Sequence, residues 1–153
     1  MEISKYNKKL VATGKVNECK IIAFDLPAGI TCPYKGACYE GCYARTGTYP
    51  LHEKKLMKNF EDSKKDSFVE DMINRLSYEI LAARPTYVRL HSSGDFYSPE
   101  YLAKWVKIAG AYPTVIFYAY TKCVSWIKSA TLPENMKICF SYGGMQDHLI
   151  QPG

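Results

Sequence analysis

The sequence predicts an α/β protein, a partial parallel β/α barrel of about four β/α units. Three observations predict it. Short apolar, β-branched runs alternate with helical patterns along the 153 residues. A loop rich in cysteine and glycine follows the first run directly. Each later run ends in small or polar residues, at the carboxyl strand ends where parallel α/β proteins place their sites.

The elements follow in order. Residues 1–18 are polar and basic, and we expect a loosely held lead-in. Cys19-Lys-Ile-Ile-Ala-Phe24 is the first strand; Pro27 and Gly29 end it. Cys19, at the strand's start, is expected to be a core thiol. Residues 51–83 read as helix in two pieces. Leu51, Leu56, Met57 and Phe60 mark the first, at about 51–61. The second carries Phe68, Val69, Met72, Ile73, Leu76, Ile80 and Leu81 at spacings of three and four, one apolar stripe. Ser67 and Glu70 have the spacing of a capping box.

Pro85 breaks the helix, and Thr86–His91 is the second strand. Ser98 followed by Pro99 is a helix start, a capping hydroxyl ahead of a proline at the first helical position. That helix turns Leu102, Trp105, Val106 and Ala109 inward and ends at Gly110. Val115–Tyr120 is the third strand, Val124–Ser129 a short helix, and Lys137–Ser141 the fourth strand, with Cys139 expected in the core. All of this is one domain, residues 1–153. No helical pattern follows the fourth strand. We therefore expect either a truncated version of a longer protein or a partner over that edge.

Composition narrows the function classes. No apolar run approaches the ~20 residues of a membrane span, and the basic N-terminus lacks a signal-peptide core. The reading is a cytoplasmic protein. The formal charge of +5 is compatible with nucleic acid or an anionic substrate and argues for neither. The lysines at 54, 55, 58, 64 and 65 alternate with acids, the pattern of a solvated helix face. Thirteen tyrosines point to half-buried surfaces or a pocket lining. Nothing in the sequence sets the oligomeric state.

The chemistry concentrates in residues 24–49. Cys32, Cys38 and Cys42 stand in a C-x5-C-x3-C spacing among Gly29, Gly36, Gly41 and Gly47. Three thiols on one Gly-rich loop suit a soft metal or an iron–sulfur cluster, and a reducing compartment favours metal over disulfide. Cys123 is either a fourth thiolate, which would close the coordination sphere, or a core thiol. Asp95, after Gly94, is either a turn former or a carboxylate for an amine or hydroxyl. His91 is a ligand, a general base or a packed strand histidine. Lys122 either holds an anion or is simply exposed, and Tyr43 packs over whatever the loop encloses.

Four segments, LPAGITCPYKGACYEGCYARTGTY (26–49), SSGDFYS (92–98), FYAYTK (117–122) and SYGG (141–144), resemble the phage gene product 88 family in collinear order. The family implies little chemistry. Its members tend to continue beyond this chain's end. A more distant resemblance is to radical S-adenosylmethionine enzymes, which carry three cysteines in the loop after the first strand of a partial barrel. That resemblance implies a [4Fe-4S] cluster on Cys32, Cys38 and Cys42. It also implies S-adenosylmethionine held by Ser93, Gly94 and Asp95, with Tyr43, Lys122, Gly143 and Gly144 around it. The usual loop is C-x3-C-x2-C, shorter in both gaps, and the usual barrel has six strands.

The sequence therefore leads to an iron–sulfur phage protein, with radical chemistry on an unknown substrate as its enzymatic form. The alternatives are a non-catalytic zinc- or cluster-stabilised interaction module and a nucleic-acid-binding accessory protein using the basic N-terminus and the lysine-rich helix.

Overall fold

The computed structural model describes residues 1–12, 15–83 and 87–151. Among them nine principal elements follow one another: β1 (Ser4–Ala12), β2 (Lys15–Phe24), α1 (Glu53–Lys64), α2 (Phe68–Ala83), β3 (Tyr87–Leu90), α3 (Pro99–Gly110), β4 (Ile116–Thr121), α4 (Val124–Ser129) and β5 (Met136–Phe140). Short 3-10 turns fill the loop between β2 and α1.

The sheet has five strands in the order β1-β2-β3-β4-β5. From β2 to β5 the strands are parallel, with Ile22 beside Val88, Val88 beside Phe117 and Phe117 beside Met136. β1 runs antiparallel to β2, Ser4 opposite Ala23. Two corrections follow. Among the described residues the sheet is not closed: β1 and β5 each pair on one side, and a partial barrel is not shown. The expected lead-in instead supplies β1 and the beginning of β2, from Lys15. Its polar composition hid a strand whose partner is the adjacent stretch of chain, and pairing rather than hydrophobicity makes it extended. A salt bridge holds it down. Lys5 Nζ lies 2.9 Å from the buried Glu79 carboxylate on α2, which Arg75 also meets at 3.2 Å.

Strand side chains alternate between the two faces. Ile22, Phe24, Val88, Leu90, Phe117, Ala119 and Met136 turn to one side and join the hydrophobic core. From the helices, Phe68, Met72, Leu76, Trp105 and Ile108 fill that core. Phe60 of α1 and Ile127 of α4 pack on the same cluster, so all four helices lie on one face. The alternate set, including Tyr87, Arg89, Tyr118, Tyr120, Lys137 and Cys139, turns to the other. Cys139 is exposed rather than in the core, because its register pairs it with Tyr120 on the face away from the helices. The side chain of Cys19 lies outside the described residues.

Helix details follow local chemistry. The Ser98 hydroxyl accepts from the Tyr101 amide at 3.1 Å, the expected N-cap. At the head of α2 the Ser67 hydroxyl donates to the Asp71 carboxylate at 2.7 Å, not the expected capping box. Leu81 is 84 % exposed and lies off the stripe. α1 buries polar residues. The Asn59 side chain accepts from the Glu2 amide and donates to the Glu2 and Asp25 carbonyls at 2.8, 2.9 and 3.0 Å. No described helix is long and apolar enough to cross a membrane.

Trp105 is fully buried and meets Phe24, Phe68, Tyr101 and Phe117 with ring centroids 5.5–6.5 Å apart. Trp105→Ala should lower unfolding stability by about 3–5 kcal/mol. Urea denaturation checks this; a loss below about 1 kcal/mol would mean the helices do not pack around this ring.

Candidate functional site

The carboxyl ends of β2, β3, β4 and β5 surround a cavity of about 730 Å³. The loop after β2 contributes Cys32, Cys38, Cys42 and Tyr43; the turn after β3 contributes Ser93, Gly94 and Asp95; Lys122 and Ser141 enter from the last two strands. Three of the four segments singled out by sequence thus meet the cysteine loop in one place.

The turn after β3 anchors that loop. Leu26 and Ser93 exchange bonds: the Leu26 amide donates to the Ser93 carbonyl at 2.9 Å, and the Ser93 hydroxyl donates to the Leu26 carbonyl at 2.8 Å. Asp25 Oδ1 accepts from the Ser92 and Ser93 amides at 2.6 and 3.4 Å. Burial pushes the Asp25 carboxyl up, partly offset by these amides and by Arg89. Gly94 has φ +83°, and a Cβ there would sit 2.5 Å from Thr31 Oγ1 and 2.7 Å from Leu26 Cβ. Only glycine allows both that backbone and that approach. The Tyr43 hydroxyl donates to the Ser92 carbonyl, tying the far end of the loop to the same turn. Burial raises the Tyr43 pKa, with Arg89 opposing it.

Asp95 is 6 % exposed. Its Oδ1 accepts from the Thr121 hydroxyl at 2.6 Å and the Phe96 amide at 2.8 Å; Oδ2 accepts from the Lys122 amide at 3.0 Å. Burial raises its pKa against these three donors. The carboxylate therefore joins the ends of β3 and β4, and its fourth lone-pair position is what it has to offer a ligand. Lys122 Nζ donates to Ser141 Oγ at 2.7 Å.

Gly143 and Gly144 clamp the loop rather than line the cavity. The Cys38 amide donates to the Gly143 carbonyl at 3.0 Å, the Met145 amide to Tyr34 at 2.9 Å, and Lys35 bridges Gly144. Gly143 has φ +93°, and a Cβ on it would lie 3.1 Å from Cys38 Cβ. Cys123 lies behind the cavity wall, close enough that the charges of Asp95 and Cys32 act on it. It is fully buried at the start of α4, its thiol donating to the Phe96 carbonyl at 3.1 Å, and burial drives its pKa far up. It does not line the cavity.

The three loop thiols are half-buried. Burial raises the Cys32 pKa, and the charges of Asp95, Cys42 and Cys38 add to the rise, which places the three sulfurs and the carboxylate in one electrostatic neighbourhood. The Gly29 amide points at Cys32 Sγ at 3.4 Å. Among the described residues, no group of three His, Cys, Asp or Glu side chains is arranged to hold a single metal ion.

Sequence reasoning missed three contributors. Arg89 lines the cavity from mid-β3 and reads in sequence as an ordinary strand residue. Asp25 and Asn59 orient the loop's first turn. An Asp immediately before Leu-Pro at a strand end was the available signal for the first; nothing local marks the second.

The family model described as "Gene product 88" matches residues 1–153. The chain belongs to that family. Among curated gene product 88 relatives, the "Gene 88 protein" of Mycobacterium phage L5 is 28% identical over 126 residues, covering 74% of this chain and 52% of the relative. That of Mycobacterium phage D29 is 27% identical over 104 residues, covering 61% and 43%. The chain spans about half the length of the curated relatives it matches. No solved structure matches it. These comparisons support the gene product 88 resemblance and do not show the one to radical S-adenosylmethionine enzymes.

His91 sits at the cavity wall with φ +68°, uncommon for a residue with a Cβ. Its Nε2 lies 2.9 Å from the Tyr101 hydroxyl, its Nδ1 has no partner, and burial pushes its pKa down to about 3. Above pH 6.5 the ring is neutral in both states. As pH falls, the unfolded chain takes up the proton near 6.5 and the folded protein only near 3. Stability should therefore fall from pH 6.5 toward 3, by up to about 1.4 kcal/mol per pH unit. His91→Asn, which tolerates positive φ, should remove that slope. Urea midpoints at about pH 7 and pH 4.5 test it; equal pH dependence in both proteins rules it out.

At Gly94 the same measurement applies. Gly94→Ala should cost about 2 kcal/mol or more, because strain and the approach of Leu26 and Thr31 add. A neutral result would mean the cysteine loop is not seated on this turn.

Proposed function

We propose that this gene product 88 protein is an iron–sulfur protein whose cluster is held by Cys32, Cys38 and Cys42, open to a small molecule in the adjoining cavity. One observation carries the reading: three thiols of a single loop line one cavity at the strand ends. The donor set fits. Thiolates are the soft ligands a cluster takes, and a backbone amide directed at a ligand sulfur, as Gly29 is at Cys32, tunes such a centre. Three ligands for four irons leave one coordination position for a ligand. Zinc fits less well. A closed structural site takes four donors, and the fourth thiol, Cys123, is committed to the core.

Such a cluster supplies one-electron chemistry when bound. The chain's own residues do the rest. Asp95 and Lys122 present a carboxylate and an ammonium to the cavity, suited to an amine and a carboxylate on one zwitterionic ligand. S-adenosylmethionine is a ligand of that kind and the first to try. Gly143 and Gly144 fix Cys38, and Tyr43 closes the loop over the turn after β3.

Anaerobic purification with iron and sulfide reconstitution tests the reading. The expected product is brown, with about four irons and four sulfides per chain. Cys32→Ala, Cys38→Ala or Cys42→Ala should each lose most of the iron, and Cys123→Ala should keep it. A colourless protein with one zinc, or iron retained by all three loop variants, would sink the proposal.

A further inference from the structure

Most of the sheet face opposite the helices has no place in that reading; only its Arg89 and Tyr120 reach the cavity. On it Tyr87, Tyr118 and Tyr120 form a ladder across β3 and β4. Tyr87 and Tyr118 meet edge to face at 6.2 Å, and Tyr118 and Tyr120 at 6.3 Å. Arg89 lies in register with Tyr118, and Tyr118 with Lys137. The Arg89 guanidinium also stands 5.8 Å from the Tyr120 ring centre. Tyr120 is 52 % exposed and Lys137 is exposed, so the ladder is reachable from solvent. Among the described strand residues on this face there is no Asp or Glu. A face that served only to meet an apolar protein segment has no need of two cations and no reason to lack acids.

We propose that this face binds single-stranded nucleic acid, the tyrosines stacking on bases while Arg89 and Lys137 meet phosphates. Bases of any identity stack on an aromatic ring, and cations alongside follow the backbone. Charge complementarity selects this occupant: the face is cationic and the whole chain carries +5. The lysine-rich helix is a poorer surface. Lys58 and Lys65 both bind Asp62, at 2.6 Å each, and Lys64 binds Glu61 at 2.7 Å. Arg89 and Tyr120 also line the cavity at the strand ends, so this face adjoins it; Tyr87, Tyr118 and Lys137 do not line it, and substitutions there test the face separately from the proposed cluster.

The test is fluorescence anisotropy of the 153-residue protein with a labelled 12-base oligothymidylate and with a duplex of the same length. The single strand should bind at least about tenfold more tightly. Tyr87→Ala and Tyr118→Ala should each weaken binding about fivefold or more with Tm nearly unchanged, and Tyr118→Phe should bind like the parent. Lys137→Ala, at an exposed position that keeps the fold, should reduce the slope of log K against log salt by about 0.7. Lys54→Ala on α1 should change nothing. The proposal is overturned by preference for duplex, by full binding in a folded Tyr118→Ala protein, or by an unchanged salt slope in Lys137→Ala. A dimer that Tyr118→Ala dissociates, with no oligonucleotide binding, would assign the face to a second copy and overturn it as well.

Discussion

The site depends on a buried carboxylate that keeps two strand ends together. Asp95 takes two backbone amides and one hydroxyl from both sides of the gap between β3 and β4. Its desolvation is unfavourable, and those three donors offset it. Thr121 extends the arrangement by accepting from the Cys123 amide at 3.0 Å. Asp25 repeats the device one strand over, on the amides of Ser92 and Ser93. The cysteine loop is then built on strand ends joined by these hydrogen bonds.

The strand and helix order was readable because period-2 and period-3.6 patterns are local. β3, β4, β5, α3 and α4 fall within a residue or so of their expected bounds, and Pro99 and Ser98 open α3 as their chemistry requires. The hairpin at the N-terminus was not readable, since β1 is made by pairing rather than by an apolar run. Whether the sheet closes is also non-local: nothing inside a strand says whether its far edge finds another.

Within the site, topology located what composition alone did not. Cys32, Cys38, Cys42, Tyr43, Asp95 and Lys122 converge because each follows a parallel strand. The glycines after β5 read as cofactor holders; the contacts the structure gives them are to the cysteine loop and Lys122. Glycine runs look alike from sequence whether they approach a ligand or another piece of backbone. Cys123 was ambiguous for a similar reason, as burial and ligation both favour a cysteine. The Phe96 carbonyl that receives its thiol lies 27 residues away.

Cys38 is held by the carbonyl of Gly143, about a hundred residues further along the chain. Contacts this distant in sequence form late, after the entropy of closing the intervening chain has been met. On the ribosome, the cysteine loop emerges about a hundred residues before the segment that clamps it. The ordering of this loop therefore waits on the strand and turn that follow it by about a hundred residues, and any cargo it accepts is delivered after they have folded.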